Sequence, residues 1–535
     1  MPSTPLQLAT GTAPKPPREL RRGIRFKGDR SKQLDAISGS PDAMVAADHP
    51  VRTIIQYVER LDLTALRAKL KPLGRTPMDP KFKLQLWLYA STIGLHAASA
   101  VARALQTDAA LRLAAGGHSV SQSVLKDFRA SNGPFLMELQ GQLLAIAVAE
   151  RVVSPQEVAV DSMRLEADAS TASMRTKTRS TKRVEQLAKV DVAALTSEEK
   201  AEHDAKVAKH LTALARFEQE GRTSHSTTTP EAAFMKFPSG ASLPGHRITA
   251  AVSGVTERFV LFAFVDSSPT DYGKLESAVL GARDALVKAG VPVIQGGPPM
   301  RVTADAGYMS EADLSFVVRE RERGRIDTIL PAAAERESKG LFVRDDFWFD
   351  DDDVICPAGK VMSGPSKSAD GRLTWTGRGC EGCPLRAQCT AGKRRTLSIT
   401  PATDELRAKV KARIEEPGGK EQYGHRIATV EPVFSYLEDV MKFTRASSRR
   451  TATVHAEVYM KLLAYNIMRL AAAAKRAEAE RAAARPAAGG AAAEGTAAES
   501  RAPLRAVVVV LGNAPLGYVI CDVWVPLGDP SSANA

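Results

Sequence analysis

The pattern of apolar positions divides the chain into a helical part and a mixed part. Between residues 46 and 153, apolar residues recur at helical spacing, as in Ile54, Val58 and Leu61. This recurrence at i, i+4 and i+7 predicts amphipathic helices. Residues 1–45 lack it and are rich in Pro, Gly, Lys and Arg, which predicts a flexible basic arm.

Short apolar strands dominate after residue 154. The pattern predicts strands at Glu157–Asp161, His246–Ser253, Arg258–Val265, Met300–Asp305 and Ile326–Leu330, and a helix at Lys274–Ala289. This order predicts an α/β fold with a mixed sheet flanked by helices. A Lys-, Glu- and Thr-rich stretch at about 175–225 is predicted to be a solvated helix or helical hairpin, and its basic segment Arg175–Arg183 fits either phosphate contacts or a solvated face.

Composition sets the remaining boundaries. The first part of the core is predicted at 154–335, a Cys-rich insertion at 336–400, the completion of the core at 401–472, and a low-complexity linker and tail at 473–535. Two helices are expected in the completing segment, one from about Thr429 to Met441 and one from about His455 to Ala472.

Charge and cysteine content narrow the class of protein. The 535 residues carry a formal net charge of +12, which favours a polyanionic partner such as DNA or RNA. No apolar run approaches the roughly 18 residues of a membrane span. Five cysteines, four of them clustered, fit a reducing cytosol better than a secreted disulfide framework. We therefore expect a cytoplasmic protein.

Three carboxylates are candidates for metal-dependent phosphodiester chemistry. Asp161 and Asp305 each end a predicted strand, and Glu431 lies near the predicted start of a helix, with Pro432 in its first turn. Cleavage and joining of phosphodiesters use two divalent ions about 3.5–4 Å apart, held by converging carboxylates. Taken singly, each Asp is also explained as a turn cap, and Glu431 as an acid favoured by the helix dipole.

Together these segments resemble the DDE transposases of bacterial insertion sequences, specifically the IS-eleven-eighty-two-like family. Asp161-Ser-Met-Arg-Leu-Glu-Ala-Asp-Ala-Ser170 is similar to the first-aspartate motif, and Ala304-Asp-Ala-Gly-Tyr308 to the second. Tyr423, Arg426 and Glu431 fit the Tyr–Arg–Glu part of the Y-R-E-K signature. The resemblance spans most of residues 50–470, and the three acids occur in the expected order.

The resemblance implies a fold, a reaction and partners. It implies a ribonuclease-H-like core, a helical DNA-binding region at 46–153, and cleavage and strand transfer at terminal inverted repeats and target DNA. Asp161, Asp305 and Glu431 would hold Mg²⁺ or Mn²⁺. Tyr423 and Arg426 would contact DNA. A homodimer is a further expectation from the resemblance.

Departures from the family pattern keep two rival functions open. Glu438 stands where the signature has Lys, and Lys442, one helical turn later, is the substitute candidate for a DNA contact. Ser162-Met163 replaces the more usual Gly-Thr, and Arg445-Ala446 the more usual Arg-Gly. The rivals are a nuclease on the same fold and a non-catalytic DNA-binding protein derived from a transposase.

Four cysteines form the second candidate metal site. Cys356, Cys380, Cys383 and Cys389 have the spacing C-x23-C-x2-C-x5-C, which suits a structural tetrahedral Zn²⁺ site. The alternative is a set of reduced thiols packed in a small core. Four thiolates would leave no open coordination position, so we expect no catalytic role. Cys521, in the tail, is expected to be an ordinary thiol.

Overall fold

A six-stranded mixed sheet organises the chain. The computed structural model describes residues 27–33, 39–70, 76–153, 156–221, 224–229, 231–291, 297–331, 341–342, 344–350, 353–369 and 371–484. The predicted tail beyond residue 484, with Cys521, and most of the predicted basic arm lie outside the described residues. None of the described helices combines the length and apolar character needed to cross a bilayer.

Sixteen α-helices occur in the described residues. They are α1 (Pro41–Met44), α2 (Pro50–Glu59), α3 (Thr64–Ala68), α4 (Pro80–Thr92), α5 (Ala98–Ala104), α6 (Ala109–Ala114), α7 (Gln122–Ser131), α8 (Gly133–Ala149), α9 (Lys177–Leu187), α10 (Ser197–Glu220), α11 (Leu275–Lys288), α12 (Glu311–Glu322), α13 (Arg386–Cys389), α14 (Pro401–Glu415), α15 (Gly419–Ser435) and α16 (Thr451–Ala484). Side-chain caps mark several starts: Asp79, Asp108 and Ser121 each accept a backbone N–H of the first turn of α4, α6 and α7.

Thirteen β-strands occur in the same residues. They are β1 (Glu157–Glu166), β2 (Met174–Thr176), β3 (Ser224–Ser226), β4 (Ala233–Lys236), β5 (Ser242–Ser253), β6 (Phe259–Asp266), β7 (Met300–Ala304), β8 (Ile326–Ile329), β9 (Trp348–Asp350), β10 (Asp353–Ile355), β11 (Ser363–Lys367), β12 (Leu373–Thr376) and β13 (Thr396–Ile399). The main sheet has the order β4–β5–β1–β7–β8, and β6 pairs with β5. The predicted α/β class and mixed sheet are confirmed.

Strand directions in the main sheet change at β1. β1 runs antiparallel to β5 and parallel to β7, and β7 runs parallel to β8. The helix α11 contacts β6, β5 and β1, whereas α15 contacts β1, β5, β7 and β8. The sheet and its helices share one continuous apolar core with the N-terminal helices. This packing fixes α15 over the strands that carry the candidate aspartates.

The boundary predicted at Asp161 is wrong, because β1 continues to Glu166. The parallel pairing with β7 ends at Val160, whereas the antiparallel pairing with β5 runs on through Asp161 to Glu166. Asp161 is polar in an otherwise apolar run because it lies where one neighbouring strand stops. The prediction for Asp305 is correct: it directly follows β7.

The helix that carries Glu431 starts ten residues earlier than the predicted start at about Thr429. The structure has α15 at Gly419–Ser435, continued by a π-helical turn at Tyr436–Val440. Pro432 is therefore inside the helix, not in its first turn. Proline cannot donate to the carbonyl four residues earlier, and the Arg258 Nε donates to that carbonyl oxygen, of Ala428, at 2.9 Å. A side chain from another element thus satisfies the acceptor that proline leaves.

The last described helix is also longer than predicted. α16 begins at Thr451, four residues before the predicted start, and runs into the low-complexity segment. It lies along the outer edge of β6. The Asn466 side chain accepts from the Val260 N–H at 3.0 Å and donates to the Val260 carbonyl at 2.8 Å. The Gln140 amide donates to the same carbonyl at 3.0 Å.

Two smaller parts are attached to this core. α9 and α10 form the predicted helical hairpin, and β2 pairs with β3 at its base. The cysteine segment contains β9 to β13 and α13 and has its own small apolar cluster, which includes Phe347, Val354 and Trp375.

Candidate active site

Asp161 and Asp305 lie next to each other on neighbouring parallel strands. Val160 and Ala304, the residues directly before them, are partners in the β1–β7 register. Each aspartate accepts a hydrogen bond from the next backbone N–H, Asp161 from Ser162 at 2.8 Å and Asp305 from Ala306 at 2.6 Å. The backbone therefore fixes one oxygen of each carboxylate and leaves the second oxygen for other partners.

The environment of Asp161 disfavours a negative charge. Burial, with a further contribution from the charge of Asp305, raises its pKa to about 6, although Arg426 acts in the opposite direction. Two carboxylates in a partly dry site repel each other unless a cation compensates them. The pair is therefore a place where a bound cation would be stabilised.

Arg426 connects Asp161 to Glu431. Its Nη1 donates to Asp161 Oδ2 at 2.6 Å, and its Nη2 lies 3.5 Å from Glu431 Oε1. The Arg426 side chain is 10% exposed, whereas that of Glu431 is 50% exposed. One guanidinium thus bridges two of the three predicted acids, and Glu431 reaches toward solvent beside them.

The predicted DNA-contacting residues fall in two places. Tyr423 lies with its ring 5.8 Å from the Arg426 guanidinium carbon, so it belongs to the carboxylate site. Lys442 is exposed, and its backbone oxygen lies 2.9 Å from His96 Nε2. Its side chain packs on Gly94, where an added Cβ would come within 3.3 Å of the Lys442 Cγ. Lys442 therefore contacts the N-terminal helical region.

A buried charged group beside Asp161 was not predicted. Arg247, 2% exposed, donates to Ser162 Oγ at 2.6 Å and to the Asp271 carboxylate. Its other nitrogens donate to backbone carbonyls of the loop after β6, at Ser268 and Pro269. The available signal was an arginine within an otherwise apolar strand, but its partner lies 24 residues away and has no pattern around it.

The Arg247–Asp271 pair lies close to Ser162 and Gly307. Ser162 shares Asp271 with Arg247. A Cβ at Gly307 would lie 3.0 Å from Asp271 Oδ2, so the Asp271 side chain would have to shift to accommodate a larger residue there. The Arg247–Asp271 pair therefore binds the side chain of the residue after Asp161 and lies close to the segment that follows Asp305.

The donor set suits a hard cation. Asp161, Asp305 and Glu431 offer only carboxylate oxygens, which Mg²⁺ prefers. In the part of the chain that the structure describes, no three His, Cys, Asp or Glu side chains stand at metal-holding spacing. The Arg426 guanidinium lies between Asp161 and Glu431, so the three predicted metal ligands are not drawn into one cluster.

The four predicted zinc ligands line one cavity. Cys356, Cys380, Cys383 and Cys389 surround it together with Phe342 and Met362. Burial raises the pKa of the Cys389 thiol, and the other three thiols raise it further. All four are free thiols that are brought together, although not at metal-holding spacing.

One segment in the C-terminal part of the described fold is similar to a known family. Residues 355–471 match the family model for a transposase DDE domain. Neither the curated proteins nor the solved structures include a significant match to the chain. The match supports a DDE transposase, a class of enzyme that cleaves nucleic acid and has DNA as its substrate.

The matched residues include one side of the site. They contain Tyr423, Arg426, Glu431 and the four clustered cysteines. Asp161 and Asp305 lie before the matched segment, so their assignment depends on their position in the sheet. DDE transposases in general use divalent metals such as Mg²⁺, which agrees with the oxygen-only donor set.

Proposed function

We propose that this protein is an insertion-sequence transposase that cleaves element ends and joins them to target DNA with Asp161, Asp305 and Glu431. The observation that carries the proposal is the placement of two of these acids side by side in the sheet, with the third connected to them through a shared arginine. Two lie at adjacent parallel strands, and the third is linked to the first through Arg426. They come from positions up to 270 residues apart in the sequence.

The strand order supports a ribonuclease-H-like core. The five core strands are, in chain order, β1, β5, β6, β7 and β8. In space their order is β6–β5–β1–β7–β8. β5 is antiparallel to β1, whereas β1, β7 and β8 are mutually parallel. The helical hairpin would then be an insertion between the first and second core strands.

Each residue of the site has a distinct proposed role. Asp161, Asp305 and Glu431 would hold Mg²⁺ or Mn²⁺. Bound divalent ions would activate the attacking water or 3′-hydroxyl and stabilise the leaving oxygen. Arg426 has a buried Nε without a hydrogen-bond partner among the described residues, and its guanidinium would donate to the scissile phosphate. Tyr423 would orient the same DNA strand.

Other DNA contacts are proposed on the N-terminal side. The net charge of +12 favours binding to the phosphate backbone. Helices α1 to α8 would form the DNA-binding region, and Lys442, which packs on Gly94, would contribute from its border. Two copies would act together, one at each element end.

A strand-transfer assay tests the function. Purified protein is incubated with Mg²⁺ or Mn²⁺ and a duplex that carries the inverted repeats flanking its reading frame, pre-cut or intact, plus a plasmid target. We expect cleavage of the intact end and covalent joining of the pre-cut end. Hydrolysis without joining would indicate a nuclease, and end binding without either reaction would indicate a DNA-binding repressor.

We also propose that the four clustered cysteines bind one structural Zn²⁺. Seven buried residues form the core of this part, which is small for independent stability, and a metal commonly supplies the missing stabilisation in such folds. Cys356 is brought to the Cys380–Cys389 segment by the β9–β10 pair and the loop at Lys360. A Zn²⁺ ion would draw the thiolates to about 2.3 Å from the metal.

The zinc proposal predicts about one equivalent of zinc per chain after purification without chelator. Cys380→Ser should lose most of it, because each thiolate is one of four ligands. Cys521→Ser is the matched control and should keep the wild-type content. Inductively coupled plasma mass spectrometry measures the metal directly. Wild-type protein without zinc, with four titratable thiols in this cluster, would contradict the site.

A further inference from the structure

A cationic pocket lies at the base of the helical hairpin formed by α9 and α10. Its volume is about 290 Å³. It is open to solvent and lies between α10 and the β2–β3 pair. Its lining includes three long basic side chains, Arg175, Lys209 and Arg216, together with the ring of His225. A pocket with several converging cations is suited to an anion of comparable size.

Two of the three cations that line this pocket, Arg175 and Lys209, are not neutralised by acids within the described residues. Arg175, Lys209 and the neighbouring Arg183 form no ion pair with a carboxylate within the described ranges. Arg175 instead donates Nη1 to the carbonyls of Ala172 and Met174, and its buried Nε has no hydrogen-bond partner among those residues. The guanidinium is therefore held in place by the backbone with a donor still unsatisfied.

The nearby His210 is exposed to the positive charge of the same cations. Its pKa is lowered by burial first and then by the charges of Arg175, Lys209 and Arg183. Three cations therefore act on one ring at the base of the hairpin. Such a concentration of like charge destabilises the fold unless a counter-charge offsets it.

Charge is distributed unevenly along the hairpin. The first turns of α10, near the tip, carry Glu198, Glu199, Glu202 and Asp204. Lys206, within this stretch, is paired with Glu202 at 2.8 Å. Lys209, one turn later, faces the basic pocket. The first turns of α10 therefore carry four acids against Lys200 and Lys206, whereas the basic pocket lies toward the other end of the helix.

We propose that this pocket binds the phosphodiester backbone of the DNA duplex on which the carboxylate site acts. The inference rests on the proposed function, because the occupant is taken to be that DNA. β1 extends five residues past Asp161, about 17 Å, or about five base pairs of duplex. Just beyond its end, the Asp168 carbonyl accepts a hydrogen bond from the hydroxyl of Thr229, two residues after Thr227 in the pocket lining. The pocket therefore contacts phosphates away from the scissile bond and reads no base sequence.

The test measures how DNA affinity depends on salt. Full-length protein is titrated into a fluorescent duplex with the flanking repeats, without divalent metal, at several NaCl concentrations. The variants are Lys209→Ala, Lys209→Glu and the double variant Arg175→Ala/Lys209→Ala. Each lost phosphate contact should reduce the slope of log K against log salt by about 0.9. For the double variant, the slope of log K against log salt should therefore fall by about 1.8.

Lys206→Ala is the matched control, since it removes the same charge from the same helix but from an existing ion pair. It should keep the wild-type slope. If circular dichroism shows that the double variant is unfolded, the test rests on Lys209→Glu alone. This variant must then lower the slope of log K against log salt by at least about 0.9. An unchanged slope in a folded Lys209→Glu variant would contradict the proposal that this pocket binds DNA phosphates.

The two proposals fail in different ways. If wild-type protein cleaves and joins DNA while the Lys209 variants keep their salt slope, only the pocket is wrong. If wild-type protein does not bind the duplex at all, the proposed function and the pocket are both wrong.

Discussion

Alanine in place of Asp305 is expected to lower metal-dependent DNA cleavage by roughly 10³-fold or more, because a shared metal ligand is lost from the reaction centre. Binding to the same duplex should be retained, since the carboxylate contributes no attraction to phosphate. Cleavage is measured on a labelled duplex in Mg²⁺ and in Mn²⁺, and binding by fluorescence anisotropy without metal.

The position of Asp305 makes this a cleaner test than Asp161. Asp161 is tied to the buried Arg426 at 2.6 Å, so its removal also leaves a guanidinium without its partner. The hydrogen bonds of Asp305 itself are with the residues that follow it. Asp284→Ala, on the exposed side of α11, is the control. Wild-type cleavage by Asp305→Ala would remove this residue from the active site.

The second large effect is on stability. Glu457→Ala is expected to lower the free energy of unfolding by about 3–5 kcal/mol, because it breaks a buried ion pair and leaves its partner charged. Glu457 is 3.8 Å from Arg129, and their side chains are 2% and 5% exposed. Glu457 also accepts from the Ser447 N–H and hydroxyl. Lys461, one turn along α16, is fully buried, which lowers its pKa to about 7.

Urea denaturation followed by circular dichroism measures this prediction. The control is Glu478→Ala, an exposed glutamate on the same helix, for which a change within about 0.5 kcal/mol is expected. Glu457→Gln separates the contributions, since the amide keeps an acceptor for Ser447 but removes the charge. Equal midpoints for Glu457→Ala and the control would show that the cluster does not stabilise the fold.

The sequence predicted the parts of the site that local pattern encodes. An acid after an apolar run is visible at Asp161 and Asp305, and the parallel pairing of β1 with β7, which ends at Val160 and Ala304, places the two acids side by side. Arg426 and Tyr423 came from a motif around Glu431. Each of these residues sits in a recognisable local context.

Long-range polar contacts were not predictable in this way. Arg247 and Asp271 meet through the fold of the loop after β6, and no local pattern marks Asp271. The start of α15 was misplaced because proline normally indicates a first turn. The contact that allows Pro432 inside the helix comes from Arg258, 170 residues away along the chain from the Ala428 carbonyl. Local sequence carries no sign of such a partner.

The packing of α16 along the outer edge of β6 affects whether a second chain can add a strand to the sheet. A strand at the rim of a sheet offers unpaired amides to any passing chain and so invites aggregation or strand addition. At Val260 both backbone groups already bind the Asn466 amide, and the Tyr459 hydroxyl lies 3.5 Å from the Ala263 carbonyl farther along. A second copy would have to displace a long helix to extend the sheet there, so this edge is closed to strand addition.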